Sequence, residues 1–414
     1  MNNVVFTIVA KNYLPFARTL GDSIFKIHNN DIDYFIYLVD EAEGFIDFER
    51  ERYNIIESSS IGIVGFLNMA FRYDIKEFST SLKPYIINHL FEQGYDKVIY
   101  LDPDVSVYNP LSAIFKELDK YSLVLTPHMN HPVKINNNAT DEEFLLFTGI
   151  YNLGFVAMKK DEHIQSLLEW WMKKLYDSCF DERTRALFVD QKWMSFSTAF
   201  LGENVLISRN PGYNMAVWNL HERSLKKVNN NFQIIDKTGY FAPLIFYHFS
   251  GYNPIDKDII SCKHPSASFE IYPELKELFD NYRDRLLLNG APDDFNKTYK
   301  YSYFENGGSI IKIQRRLFNS LLLSGVVFTN PFSVNKGSFY ELLEKNRLLL
   351  KSNGFDPEKI GIEQIGKFSN KIRILYYFMR LFQRFLGVDR YALLLRFLFK
   401  NASYDSQLFI IKKK

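Results

Sequence analysis

Cysteine is almost missing from this chain: Cys179 and Cys262 are the only two in 414 residues. Two such residues make no disulfide framework, so reduced thiols and a cytoplasmic setting are expected. Charge of one sign is missing as well. Fifty Lys and Arg stand against 48 Asp and Glu, for a net charge of +2, and a balance that even gives no field for nucleic acid. No run approaches about 18 uninterrupted apolar residues, so no membrane-crossing helix is expected. Nothing basic precedes the first apolar run, Val4–Val9, so that run is read as a first strand and not as a signal peptide. The loop after it lacks a G-x-G-x-x-G, which argues against a dinucleotide site of the Rossmann type. Fixed-period repeats and low-complexity tracts are also absent. Tryptophan is scarce, 4 against 38 Phe and 26 Tyr, so an aromatic content of 16% rests on rings that build thick cores or meet sugars and membranes.

What is present is ordinary globular stock, 47% hydrophobic and 24% charged, long enough for two or three domains. Val4–Val9, a helical pattern from about Phe16 to Ile27 and Asp33–Val39 read as β-α-β, the unit of a parallel sheet with right-handed crossovers. Residues 61–93 are helical, with Phe66, Met69, Ala70 and Tyr73 on one face. Further expectations are a helix ending near Leu118, strands at Ser122–Thr126 and Pro243–Tyr247, and an amphipathic helix over 162–176. Residues 128–141, with Asn136–Asn138, are expected to be a loop. Helices at 270–288 and 311–324 flank a loop-rich stretch at 289–310.

The stretch that organises the chain is Lys97-Val-Ile-Tyr-Leu-Asp-Pro-Asp-Val105. A buried strand that runs into Asp102 and Asp104 sets two carboxylates at the carboxyl edge of a sheet, where open α/β folds place ligands. Pro103 stiffens the turn, and acids at i and i+2 can share one divalent ion that neutralises a diphosphate. A polar turn after a strand is the plainer alternative. His248, at the end of Pro243–Tyr247, is a third candidate ligand, and imidazole with two carboxylates suits Mn²⁺. Asn12 and Tyr13 sit where a base could stack. Asn152 and Gly154 interrupt a β-rich run, as a residue near a ligand does. Asp190 and Gln191 lie in an aromatic setting that demands partners, either in a site or in a structural network. Lys83 faces a phosphate or is a solvated helix lysine.

In this order these segments resemble GT-A-fold nucleotide-sugar glycosyltransferases of bacterial polysaccharide biosynthesis, similar in plan to the retaining family 8. The motifs are Thr7-Ile-Val-Ala10 with Asn12-Tyr13, Tyr100-Leu-Asp-Pro-Asp104, Tyr151-Asn-Leu-Gly154, Val189-Asp-Gln191, Tyr213-Asn214 and His248-Phe-Ser-Gly251, over about residues 4–255. The resemblance implies an α/β fold, a Rossmann-like mixed and mainly parallel sheet with flanking helices over 1–260. A mostly helical region, 261–414, would follow. It implies Mn²⁺ or Mg²⁺ on Asp102, Asp104 and His248. A nucleotide-sugar donor, UDP-linked by preference, would meet Ala10, Asn12, Tyr13, Lys83, Asp102, Asn152, Gly154, Asn214 and Gly251, with Asp190 and Gln191 beside the reacting carbon. The family's Lys-Pro-Trp after His-x-x-Gly is not found. The chain reads Tyr252-Asn-Pro-Ile-Asp256, and Lys257 is the substitute considered.

The implied activity is transfer of a sugar to a glycan or lipid-linked acceptor in capsule, O-antigen or related synthesis, an EC 2.4 hexosyltransferase-like reaction. Retention is favoured, and an inverting route would use Asp190 as base. The rivals are a non-catalytic docking module and a nucleotide-sugar hydrolase. From Asn370 to Lys400 the chain is basic and amphipathic. Lys371, Arg373, Arg380, Arg384, Arg390, Arg396 and Lys400 stand against Asp389, with Leu375, Phe378, Leu381, Phe385, Leu394 and Phe397 as apolar partners. Such a helix can lie on an anionic membrane or pack against protein. The oligomeric state is left open.

Overall fold

The computed structural model describes residues 2–133, 142–350 and 369–411. The expected loop is therefore described only to residue 133, and Asn136–Asn138 lie outside the described residues. Short apolar runs become β1 (Asn3–Val9), β2 (Asp33–Leu38), β3 (Asn54–Glu57), β4 (Lys97–Leu101), β5 (Val105–Val107), β6 (Leu123–Leu125) and β7 (Phe155–Lys159). Six of these, with the strand Val205–Ile207, form one sheet in the order Val205–Ile207, β6, β7, β4, β1, β2, β3. β1 is parallel to β2 and β4, and β2 to β3. β7 runs antiparallel between β4 and β6. The sheet is thus mixed and mainly parallel, as expected for this α/β class.

Between β1 and β2 the chain forms the helix Leu14–His28, whose Leu14, Ala17, Leu20 and Ile24 are buried with Val5, Ile36 and Ile99. These positions recur three and four apart, so one stripe of the helix covers the sheet. β4 is buried along its whole length, which explains its unbroken apolar run. Past Leu101 the chain turns through Asp102-Pro-Asp into β5, which leaves the main sheet. β5 pairs antiparallel with the strand Phe246–His248, and His248 lies opposite Val105.

One expected strand differs from the sequence reading. Pro243–Tyr247 is not one strand: Phe241–Pro243 closes a meander with Arg223–Val228 and Asn231–Asp236, and Phe246–His248 belongs to the small sheet with β5. The hairpin in that meander turns at Asn229 and Asn230, with φ of 48° and 63°. Asparagine tolerates this left-handed region, and two such residues suit a tight hairpin.

Contacts divide the chain elsewhere than at residue 260. One unit comprises the chain through Val64 and Ile75–Tyr299; the other is Gly65–Asp74 with the chain from Lys300. The helix Lys276–Leu288 belongs to the first, where Tyr282 stacks on Phe249 at 3.7 Å and 6°. In the second, Phe71 of the helix Phe66–Arg72 meets the rings of Phe304, Phe318, Phe332 and Phe339. Arg315 donates there to the carbonyls of Phe71 and Tyr73, at 2.8 and 2.7 Å. Helices dominate this unit, with Lys312–Leu323, Phe339–Lys345 and Ser369–Asn401.

Candidate functional site

The β5 register brings the acid pair and the histidine together. Phe249 N–H donates to the Asp104 carbonyl at 2.8 Å, locking the strand end to the Asp-Pro-Asp turn. His248 Nε2 then lies 3.1 Å from Asp104 Oδ1 and 3.8 Å from Asp102 Oδ2. One ligand atom from each of the three falls within 4.8 Å of the others. Asp102 is fixed at its backbone, where its N–H donates to the Gly154 carbonyl at 2.8 Å, and at its side chain, where Tyr100 Oη donates to Oδ1 at 2.5 Å.

The donor set fits a divalent ion. His248 is only 4% exposed and its Nδ1 has no hydrogen-bond partner. A Cβ on Gly154 would come within 2.4 Å of His248 Cε1, so the imidazole is seated against bare backbone. Burial pushes the Asp104 carboxyl up, but His248 and then Lys263 outweigh it and hold Asp104 below the usual carboxylate range. A carboxylate that is easier to ionise and sits beside an imidazole has the chemistry a divalent ion requires of its ligands.

These groups line a cavity of about 470 Å³. Eight of the expected residues line it: Lys83, Asp102, Asp104, Asn152, Gly154, Asp190, Gln191 and His248. Lys83 is no solvated helix lysine. It begins the helix Lys83–Glu92 with its side chain 2% exposed, and its Nζ lies 2.8 Å from Asp190 Oδ2 and donates to the Leu153 carbonyl at 2.7 Å. Burial raises the Asp190 carboxyl and the charge of Lys83 offsets part of that rise. Gln191 accepts from Leu153 N–H at 3.1 Å and donates to the Thr148 carbonyl at 3.0 Å. An amide occupied at both ends by backbone braces the wall.

Asn152 sits in a polar chain: its Oδ1 accepts from Asn214 Nδ2 at 3.0 Å and from Gly154 N–H at 3.1 Å. Asn214, at φ 52°, supports Asn152 and does not itself line the cavity. Tyr13 stacks on Phe16 at 4.8 Å. Tyr13 is 44% exposed, and Ala10, Asn12 and Tyr13 are not cavity walls. Gly251 is at φ +74°, where a Cβ would meet Ser261 Oγ at 2.7 Å. Lys257 is exposed and away from the cavity. The lysine that lines the cavity with the acid pair is Lys263, whose Nζ donates to Ser250 Oγ at 3.3 Å.

Sequence reasoning missed Lys263, His128 and Trp218. Lys263-His-Pro265 would have been found by allowing a longer loop after His248. His128 follows β6 as Asp102 follows β4, at a strand's carboxyl end. Its Nδ1 donates to the Ile150 carbonyl at 3.1 Å and its Nε2 accepts from Asn152 at 3.2 Å. Burial pushes it down to about 4, so it is neutral. Trp218 stands edge-on to both histidines, 5.4 Å from His128 and 5.0 Å from His248.

No family model matches the chain. Two proteins of Bacillus subtilis (strain 168) are similar to it. One is the uncharacterized protein YfnF, 24% identical over 67% of this chain and 91% of that protein. The other is the uncharacterized protein YfnD, 27% identical over 62% of this chain and 80% of that protein. Among solved structures the chain is similar to the galactosyltransferase LgtC in complex with donor and acceptor sugar analogs, at 14% identity and TM-score 0.38, over 71% of this chain and 98% of that one. It is also similar to the glycosyltransferase GlyE of Streptococcus pneumoniae TIGR4, at 14% identity and TM-score 0.40, over 74% and 67%. Mouse xyloside xylosyltransferase 1 is a third, at 12% identity and TM-score 0.38, over 60% and 97%.

Proposed function

We propose that this protein is a metal-dependent GT-A glycosyltransferase that moves a sugar from a nucleotide-sugar donor, UDP-linked by preference, to a glycan or lipid-linked acceptor. The setting proposed is cytoplasmic synthesis of bacterial surface polysaccharide such as capsule or lipopolysaccharide. The observation that carries the reading is the convergence of Asp102, Asp104, His248 and Lys263 on one cavity, which the buried Lys83–Asp190 pair also lines.

Asp102, Asp104 and His248 would hold Mn²⁺ or Mg²⁺, with the nitrogen ligand favouring Mn²⁺. That ion would supply charge neutralisation for a departing diphosphate. The remaining work falls to the chain. Lys263 adds a cation near Asp104 in the same cavity, in the role considered for Lys257. Asp190, oriented by Lys83, offers a fixed carboxylate to sugar hydroxyls, and Gln191 and Asn152 keep the wall in register. Because Asp190 is engaged by Lys83, a same-face route in which the leaving phosphate takes the acceptor's proton is favoured over general-base catalysis with inversion.

The test is a thermal-shift panel of UDP-, GDP-, CMP- and dTDP-sugars with and without Mn²⁺. A ligand at 100 times its Kd stabilises by about 2.7 kcal/mol, so one nucleotide class should raise the Tm only with the ion. Asp104→Ala should lose that shift and roughly 10³-fold or more in turnover while melting normally without ligand. A panel in which nothing stabilises would overturn the reading. Turnover at equal rate with and without a glycan acceptor would assign the site to hydrolysis.

A further inference from the structure

A helix on the surface of a water-soluble protein usually hides one apolar stripe. The helix Ser369–Asn401 does not. Its Phe385 is 89% exposed and its Phe399 73%. Up to Gly387, where φ of +74° breaks the helix, Arg373, Arg380 and Arg384 are spaced seven and four apart and fall on one line. At about 100° per residue, Ile374, Leu375, Phe378, Leu381, Phe382 and Phe385 fall on the opposite arc, and all six are exposed. Tyr376 and Tyr377 flank the arginines and are exposed too. Amphipathic rings at that level are the mark of a water–lipid boundary. Among the described residues no helix is long and apolar enough to cross a membrane. Asn370 and Lys371, counted in the basic run, have side chains outside the described residues.

We propose that this helix docks the protein on an anionic lipid surface. It lies in the plane of the interface, with the apolar arc at the acyl boundary and the arginines at the lipid phosphates. Charge selects this occupant over a second copy of the chain. Asp389 is the single acid between residues 370 and 400, so a self-paired helix has almost no acids to set against its arginines. An anionic surface supplies that counter-charge at every basic residue.

Flotation of the full chain with vesicles tests it. The protein should float with phosphatidylcholine–phosphatidylglycerol vesicles, be released by salt, and float poorly with phosphatidylcholine alone. Arg380→Gln with Arg384→Gln should lower partitioning onto the anionic vesicles roughly 30-fold. Phe378→Ser with Phe385→Ser should abolish it with the melting temperature unchanged. A wild-type chain that stays at the bottom of the gradient at low salt, or a Phe378/Phe385 variant that floats like wild type, would overturn the proposal. So would a dimer in light scattering that the same variant splits and that never binds vesicles, because it would hand the arc to a second copy.

Discussion

The cavity and the helix Ser369–Asn401 depart from ordinary partitioning in opposite directions. In the cavity the chain buries charge: the Lys83 and Asp190 side chains are 2% and 1% exposed and 2.8 Å apart. Along the helix it exposes hydrocarbon, as at Phe385. The first departure is compensated within the protein, since Lys83 meets a carboxylate, a carbonyl and the face of Tyr100 at 4.3 Å. The second is compensated by nothing among the described residues. A polar group buried with its partners built in is a prepared site; an apolar face left open calls for something from outside. Both are costly arrangements, and the two kinds of compensation can be tested separately.

The largest effect should come from breaking the internal compensation. Lys83→Met leaves Asp190 buried and unpaired, which should cost about 3–5 kcal/mol in urea unfolding. Adding Asp190→Leu should recover most of the loss, because the lone charge is gone. If the double variant is as unstable as the single one, the pair is not coupled and the comparison fails.

A smaller effect tests the same wall by pH. His128, held near 4, stays neutral in the folded protein while the unfolded chain takes a proton below its ordinary 6.5. Stability is therefore full above about pH 6.5 and is lost as pH falls towards about 4, by roughly 3 kcal/mol. Denaturant unfolding at about pH 7 and about pH 4.5 measures it, and His128→Gln should remove that part of the slope.

The smallest effect belongs to the helix. Phe385→Ser should change unfolding free energy by no more than about 0.5 kcal/mol, as an exposed substitution does. A loss of about 3 kcal/mol, the size for a core phenylalanine, would mean that protein covers the arc.

Much of this was legible in the sequence. Strand-type apolar runs marked β1, β2 and β4, and the Asp-Pro-Asp at the end of β4 marked the acid pair, because local pattern and turn chemistry decide such features. The hairpin of Arg223–Asp236 was missed: its strands are polar and half exposed, so no apolar run announced it. Lys83 was read as more a solvated helix lysine than a phosphate contact, because nothing local tells a lysine which acid it will face. Lys257 was considered where Lys263 stands, because spacing in sequence is a poor guide across a loop. The helix Phe66–Arg72 was read correctly as a helix but placed with its sequence neighbours; its rings pack with residues beyond 300.

By itself the sequence determined the strand that ends in two acids, the alternation that makes a mainly parallel sheet, and a basic amphipathic helix. These follow from contacts within a few residues, where periodicity and turn preference act. The tertiary structure alone decided how near His248, already a candidate in the sequence, comes to the acid pair, that Lys83 neutralises Asp190, and that Gly65–Asp74 joins the second unit. Each of those pairings joins segments far apart in the chain. Strand register and the packing of rings and buried charges select them, and no local rule reaches that far.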